Sequence, residues 1–317
     1  MNKDKPAAPL NILLPIDGSK HSAAAVRLTT RISWPSGTSG HVLAVVPERL
    51  PLGHVSQEAQ RVINEALADI RRQEWAAAEM LASLAVNKLH AGGLTIEAEV
   101  REGRPAEMIL ARTATPATDL IVIGAKGLSA PGEFRLGSTA HKLAHYAGCS
   151  VLVARPLDQT QHLRTLLATD GSLEAQRAAE FLCGLSPPQW TAVTVVSVAE
   201  AEVDIPSGVV GTEHRPGADP LASLKTSLPE AVRQMYLDDA EMHALEVVKH
   251  LYNCGSPVRS AIRCGHPAEE ILFAARELDA DLIVVGARGQ TRADPFLLGG
   301  VAQKVVKYAP CSVLVVR

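Results

Sequence analysis

Residues 119–139 read DLIVIGAKGLSAPGEFRLGST. The apolar run Leu120, Ile121, Val122, Ile123, bounded by Asp119 and Gly124, has the length and composition of a strand buried on both faces. Two residues separate Gly124 from Gly127, nine more (128–136) lead to Gly137, and Ser138 opens a helical pattern. Glycines in such a loop let bare backbone approach a ligand. The turn amides and the positive end of the following helix then form a concavity suited to phosphate oxygens, with the Ser138 hydroxyl as a further donor. A fully apolar strand feeding a helix also implies a parallel sheet covered on both sides.

The same reading occurs twice. Residues 137–155 reappear at 299–317, and an offset of 162 also relates Gly103 to Gly265, Pro105 to Pro267, Asp119 to Asp281 and Gly124 to Gly286. Nearer the start of each copy, residues 13–19 (LLPIDGS) match 166–172 (LLATDGS) at an offset of 153. Nine extra residues therefore lie inside the second copy, and the Pro- and Gly-rich stretch 199–228 is where they are expected, as a long loop. A unit of this size is a whole domain rather than a solenoid repeat, so the chain reads as one domain duplicated, 1–157 and 158–317.

Within the first copy, strands are expected at 11–16, 41–46, 94–100, 119–124 and 150–154, and helices at 19–32, 56–91, 105–113 and 138–146. Pro105 with Glu107 marks a helix start, and Gly92 with Gly93 a stop. All five strands recur in the second copy. Asp17 ends the first strand. A carboxylate there can accept hydrogen bonds from sugar hydroxyls in the crevice where a doubly wound sheet reverses direction, so sugar at Asp17 and phosphate at Gly137 point to a nucleotide. Asp17 and Asp170 could instead cap the helices that follow them.

Composition bounds the partners. The 317 residues are 47% hydrophobic and 21% charged, ordinary globular usage, and the net charge of −3 with 3% aromatics gives no reason to expect nucleic acid or an anionic membrane as partner. No apolar run approaches the roughly 20 residues of a membrane span, and prolines interrupt the N-terminal segment before an export core could form, so a cytoplasmic location is expected. The first copy carries a net charge of +3 and the second −6, which favours a triphosphate in the first.

At these residues the chain resembles the universal stress protein family, whose nucleotide-binding members carry G-x-x-G, nine residues, then G-S or G-T, with an Asp closing the first strand. The resemblance spans nearly the whole chain, twice. It implies α/β domains of Rossmann-like type, each an open-twisted five-stranded parallel sheet in the order 3-2-1-4-5 flanked by helices, and it implies that the two pair through their last strands as a dimer within one chain. A further homodimer of two chains is left open. Carried over position by position, it places adenine and ribose near Pro15, Asp17 and Val46, and phosphates near Gly124, Lys126, Gly127, Gly137, Ser138 and Thr139. ATP, with or without Mg2+, is the implied cofactor.

The second copy keeps Asp170, Gly286, Arg288, Gly289 and Gly299 at the same spacing but has Gly300 where Ser or Thr is wanted, and Ala168 where the first copy has Pro15. Loss of one hydroxyl donor weakens binding by up to roughly tenfold, so the stronger site is expected in the first copy. The implied function is an ATP-binding stress-response regulator. The alternatives are a nucleotide-independent scaffold working through surfaces such as the 199–228 loop, or a slow ATPase, since phosphoryl transfer requires a metal-holding carboxylate and a positioned base beyond Lys126 and Asp17.

Other residues receive plainer readings. His141 and His145 lie four apart on one helix and read as a solvated face, as does His243. The five cysteines, Cys149, Cys183, Cys254, Cys264 and Cys311, are odd in number without C-x-x-C spacing, so buried thiols are expected rather than disulfides or a thiolate metal site. In the long helix, Val62, Ala66, Ile70, Ala77, Leu81 and Leu84 recur at helical spacing and read as its core face. No catalytic residue and no metal site is assigned.

Overall fold

The computed structural model describes residues 8–48, 57–114, 118–128, 136–157, 163–185, 190–200, 230–290 and 297–317. In the first half, β1 (Asn11–Ile16), α1 (Lys20–Arg31), β2 (Ser39–Pro47), α2 (Gln57–Ala91), β3 (Thr95–Gly103), α3 (Pro105–Thr113), β4 (Leu120–Gly124), α4 (Ser138–Tyr146) and β5 (Ser150–Ala154) follow one another. The second half repeats them as β6 (Leu163–Thr169), α5 (Leu173–Gly184), β7 (Trp190–Ala199), α6 (Glu230–Asn253), β8 (Val258–Cys264), α7 (Pro267–Glu277), β9 (Leu282–Gly286), α8 (Gly300–Tyr308) and β10 (Ser312–Val316). The expected loop at 199–228 lies, apart from its first two residues, outside the described residues.

Local chemistry explains the boundaries. Ser19 and Ser172 cap α1 and α5, each hydroxyl accepting the N–H three residues on, from Ser22 at 3.1 Å and Ala175 at 3.2 Å. Pro105 and Pro267 occupy the first positions of α3 and α7, where a missing N–H costs nothing. Gly93, at φ +83, takes the left-handed conformation that ends α2.

The ten strands form one continuous sheet in the order β3-β2-β1-β4-β5-β10-β9-β6-β7-β8. Each half is parallel with the order 3-2-1-4-5, and the halves join where β5 and β10 run antiparallel, Val151 opposite Val315, Leu152 opposite Leu314 and Val153 opposite Val313. Alternate residues of the seam feed opposite layers. Leu152 and Leu314 enter the core under α1, α2, α5 and α6, while Val151, Val153, Val313 and Val315 enter the core under α3, α4, α7 and α8. Each such side chain, fully buried, contributes roughly 1.5–3 kcal/mol, so the two domains share their cores rather than merely touching. The outermost strand β3 bears Glu97, Glu99, Arg101 and Glu102, charges that blunt an open edge.

Asp119 and Asp281 hold each crossover in register. Asp119 Oδ2 accepts the Asn11 N–H at 2.8 Å and Asp281 Oδ2 the Arg164 N–H at 2.9 Å, tying the entry of the fourth strand of each half to the start of its first.

Two expectations are corrected. The buried face of α2 is Ala78, Ala82, Ala85 and Leu89, whereas Ala66, Ile70, Ala77 and Leu84 are exposed and Leu81 half-buried; the side chain of Val62 lies outside the described residues. Small alanines let the helix sit close to the sheet, and the larger apolar residues beside them face elsewhere. The second correction concerns the cysteines. Cys183, in the last turn of α5, and Cys254, just beyond α6, form a disulfide with their Cα atoms 5.7 Å apart. Seventy-one residues separate them in sequence, and only the packing of α5 on α6 brings them together. Cys149, Cys264 and Cys311 are free thiols, and Cys311 is buried.

Candidate functional site

The first strand ends in Asp17, and Gly18 turns the chain at φ +77 into α1. Asp17 Oδ1 accepts the Ser19 N–H at 3.0 Å, so Asp17 braces the turn while Ser19 performs the helix capping that could have been assigned to the aspartate. The Ser19 hydroxyl in turn donates to the Lys126 carbonyl at 3.2 Å, fastening the end of β1 to the loop after β4. The second carboxylate oxygen of Asp17 faces Gly127. A Cβ on Gly127 would come within 2.8 Å of it, so a larger residue there displaces the Asp17 carboxylate. Gly124 is the more tightly constrained: a Cβ there would lie 2.5 Å from the His21 carbonyl carbon and 2.6 Å from the Ser22 nitrogen, backbone atoms of α1.

The nine-residue loop returns at Gly137, whose N–H donates to the Ala125 carbonyl at 2.8 Å. Gly137 is the N-cap of α4 and supplies no side chain to cover the first-turn amides. Those donors, the Ser138 and Thr139 hydroxyls and the positive end of α4 therefore open onto one cavity. That cavity measures about 740 Å³, within the range of small-molecule sites, and sits at the carboxyl ends of β1 and β4, where the sheet order reverses. All nine residues expected in the first copy, Pro15, Asp17, Val46, Gly124, Lys126, Gly127, Gly137, Ser138 and Thr139, line it.

An apolar wall, which the motif spacing does not reveal, closes the cavity. Leu43 and Val45 from β2, Ala77 and Leu81 from α2, and Ile109 from α3 complete the lining, a slot that suits a flat ring more than a charged group. Ala77 and Leu81 were readable as apolar residues at helical spacing, and only the structure shows that they flank the α2 core face instead of forming it. Beneath Gly124, His21 is held below the ordinary histidine range by burial, then by the charge of Lys126, while Asp17 pulls the other way.

The second copy assembles the same frame and fills it differently. Asp170 Oδ1 accepts the Ser172 N–H at 3.0 Å, and its Oδ2 accepts the Gln290 N–H at 3.1 Å, while the Gln290 amide also donates to the Asp170 carbonyl. Arg288, the counterpart of Lys126, is paired with Glu174, its Nη2 donating at 2.8 Å and its Nε at 3.2 Å to Oε1. His243 occupies the position of Leu81, and its ring packs against Gly171, where a Cβ would lie 2.3 Å from the ring. His243 is therefore half-buried against the turn rather than on a solvated face. Gly286, Gly289 and Gly299 keep their places in the loop, with Gly299 N–H donating to the Ala287 carbonyl at 2.8 Å, and Gly300 opens α8 without a hydroxyl.

The His141 and His145 rings lie with centroids 4.4 Å apart and planes tilted by 40°, and burial followed by the nearby His141 lowers the pKa of His145. Burial pushes the Cys149 thiol up to about 11 and Cys311 up to about 12, which makes both packing groups rather than nucleophiles. Among the described residues no helix is long and apolar enough to cross a membrane.

The sequence model of the Universal stress protein family matches residues 10–155 and again 163–317. A universal stress protein of Mycolicibacterium smegmatis is 27% identical over 98% of both chains, and one from Thermus aquaticus is 37% identical over 48% of this chain and 96% of its own. Among solved structures, a universal stress protein from Archaeoglobus fulgidus aligns over 97% of this chain and 98% of its own at 20% identity, with a TM-score of 0.57. A Pseudomonas aeruginosa chain solved as a putative universal stress protein aligns over 98% and 93% at 17% identity, with a TM-score of 0.58. These two structures share the tandem fold.

Proposed function

The chain belongs to the universal stress protein family, and on that premise we propose that it is a stress-response regulator that binds ATP in its first domain. The observation that carries this reading is the convergence of Pro15, Asp17, Val46, Gly124, Lys126, Gly127, Gly137, Ser138 and Thr139 on one cavity at the sheet's switch point. The residues fit the ligand. Glycine positions that reject a Cβ bring backbone amides to the phosphate end, Asp17 stands where a ribose would present its hydroxyls, and the β2–α2 wall offers an apolar slot for adenine.

The protein's work in this proposal is binding, with hydrolysis slow at most. The charged side chains lining the cavity, among the described residues, are Asp17, Glu74 and Lys126. Lys126 can neutralise phosphate charge, while Asp17 is engaged with the Ser19 amide, a role in positioning more than in proton transfer. Occupancy would tie α4, β1 and α2 together, and a bound phosphate tail would satisfy the uncapped amides of α4.

The second domain binds more weakly in this reading, because Gln290 donates to the Asp170 oxygen that the turn contact with Ser172, shared with the first domain, leaves over, and Glu174 already neutralises Arg288. A nucleotide would have to displace these partners as well as do without the hydroxyl missing at Gly300. Titration of the full chain with ATP, with turnover measured in parallel, tests the proposal: one strong site with negligible turnover supports it. Several turnovers per second would make the protein an enzyme, and absence of binding would leave a nucleotide-independent scaffold.

A further inference from the structure

We propose that Cys183, His250 and Cys254 form a redox-gated site for a zinc-class divalent cation in the second domain. The two sulfurs and a ring nitrogen of His250 all lie within 4.8 Å of one another, the one such group of three or more His, Cys, Asp or Glu ligand atoms among the described residues. His250 lies in the last turn of α6, four residues before Cys254, so both project from one side of the helix end toward Cys183 at the end of α5. Two thiolates and an imidazole are a zinc donor set that leaves a fourth position for water or an exogenous ligand.

An independent feature points the same way. His250 Nε2 is buried and has no hydrogen-bond partner among the described residues, and a buried polar atom left so calls for an explanation, which a bound cation would supply. Nor does the fold require these residues. The repeat offsets place Thr30, Lys88 and Gly92 at the equivalent positions of the first domain, where the Thr30 methyl lies 3.4 Å from the place a Gly92 Cβ would take. The same two helix ends thus pack without a bridge in one domain and carry two sulfurs and an imidazole in the other.

With the disulfide closed, neither sulfur is a thiolate and the site holds no cation. A dithiol reductant attacks the bridge through its thiolate, a mixed disulfide forms, and the second reductant thiol releases the protein sulfur. Two electrons and two protons are transferred, leaving two protein thiols and the oxidised reductant. Zinc binding then expels both thiol protons to solvent, and each sulfur donates a lone pair to the metal. Cys183, Cys254 and His250 are all half-buried, open enough for a small dithiol and sheltered enough to hold a cation. Zinc binds at roughly 2.3 Å to sulfur and 2.1 Å to nitrogen, and ligand atoms within 4.8 Å of one another are near enough to converge on one ion once the bridge opens.

The test is Co2+ titration of the full chain, oxidised and then reduced with a phosphine, followed by displacement with Zn2+. One equivalent of Co2+ with a sulfur-to-metal charge-transfer band in the reduced chain alone, lost on adding Zn2+, is expected. His250→Asn, which leaves the bridge intact, should weaken Zn2+ binding by about a hundredfold, Cys183→Ser should abolish it, and joint replacement of Cys149, Cys264 and Cys311 by Ser should leave it unchanged. Equal binding by oxidised and reduced chain, no thiolate band after reduction, or an affinity unmoved by His250→Asn would each overturn the proposal. ATP affinity is measured on the same samples, so failure here is distinguishable from failure of the nucleotide reading.

Discussion

Arg155 and Arg317, the last residues of the two repeats, cap each other's domains. Arg155 donates from Nη2 to the Val306 carbonyl at 2.7 Å and from Nη1 to the Cys311 carbonyl at 2.9 Å, while Arg317 Nη2 donates to the Ala144 and His145 carbonyls at 2.7 and 3.1 Å. Val306 and Ala144 are repeat equivalents in the last turns of α8 and α4. Each guanidinium therefore satisfies orphan carbonyls and the negative end of a helix in the opposite half. Backbone contacts repeat the exchange, Arg155 N–H to Ser312 Oγ at 3.1 Å and Arg317 N–H to Ser150 Oγ at 3.3 Å.

Replacing either arginine by Met leaves those carbonyls inside the seam without a donor. Arg155→Met and Arg317→Met should each cost about 2–3 kcal/mol, the scale of hydrogen bonds to a charged group. Urea denaturation followed by circular dichroism measures it, and a loss under about 0.5 kcal/mol would show that the clamp is ornamental.

Acid should destabilise the protein in two stages. His21 and His145 have pKa values lowered in the fold, chiefly by burial, so as pH falls through the unfolded value near 6.5 the unfolded chain takes up protons first and stability declines. Glu99 adds a second decline. Burial alone would raise its pKa, but hydrogen bonds from Arg112, at 2.9 Å, and Arg101 outweigh this and hold it below 4.5, so its contribution is present above that pH and is lost as pH drops further. Stability measured from pH 7.5 down to pH 4 should fall monotonically, and a maximum near pH 5 would contradict the assignment.

Much of the candidate site was legible before the fold was known because its determinants are local. Gly124, Gly127 and Gly137 are spaced by the loop they build, and the predicted bounds of α3 and α4 match because Pro105 and Gly137 mark their starts in a few neighbouring residues. The missed parts depend on distant segments. The α2 core face differs from the predicted one by a rotation about the helix axis that only contact with the sheet decides, and the Cys183–Cys254 bridge needs α5 and α6 to be packed. The internal partners of Asp170 and Arg288 come from the N-terminus of α5 and from the loop after β9, segments far apart in sequence, so spacing alone showed only the missing hydroxyl at Gly300.

The filled second site yields a prediction by reconstruction. Gly300→Ser alone should restore little, because Asp170 and Arg288 remain engaged. Combining it with Gln290→Leu, His243→Leu and Glu174→His, which install the first domain's residues, should raise nucleotide stoichiometry from one per chain toward two. Equilibrium dialysis with labelled ATP counts the sites.

The phosphate cradle should be sensitive to single atoms. Gly127→Ala pushes a methyl against Asp17 Oδ2 and should weaken ATP by about tenfold or more, a loss of ~1.4 kcal/mol. Ser138→Ala removes one hydroxyl donor and should cost roughly 0.5–1.5 kcal/mol. Fluorescence competition with a labelled adenine nucleotide reads both, and unchanged affinity in the pair would remove phosphate from this loop.

Calorimetric titration of ATP into the intact chain, beside Asp17→Ala and Asp170→Ala, asks the decisive question. One strong site per chain, lost with Asp17→Ala and retained with Asp170→Ala, is the predicted outcome; no heat at millimolar ATP, or binding indifferent to Asp17→Ala, would contradict it.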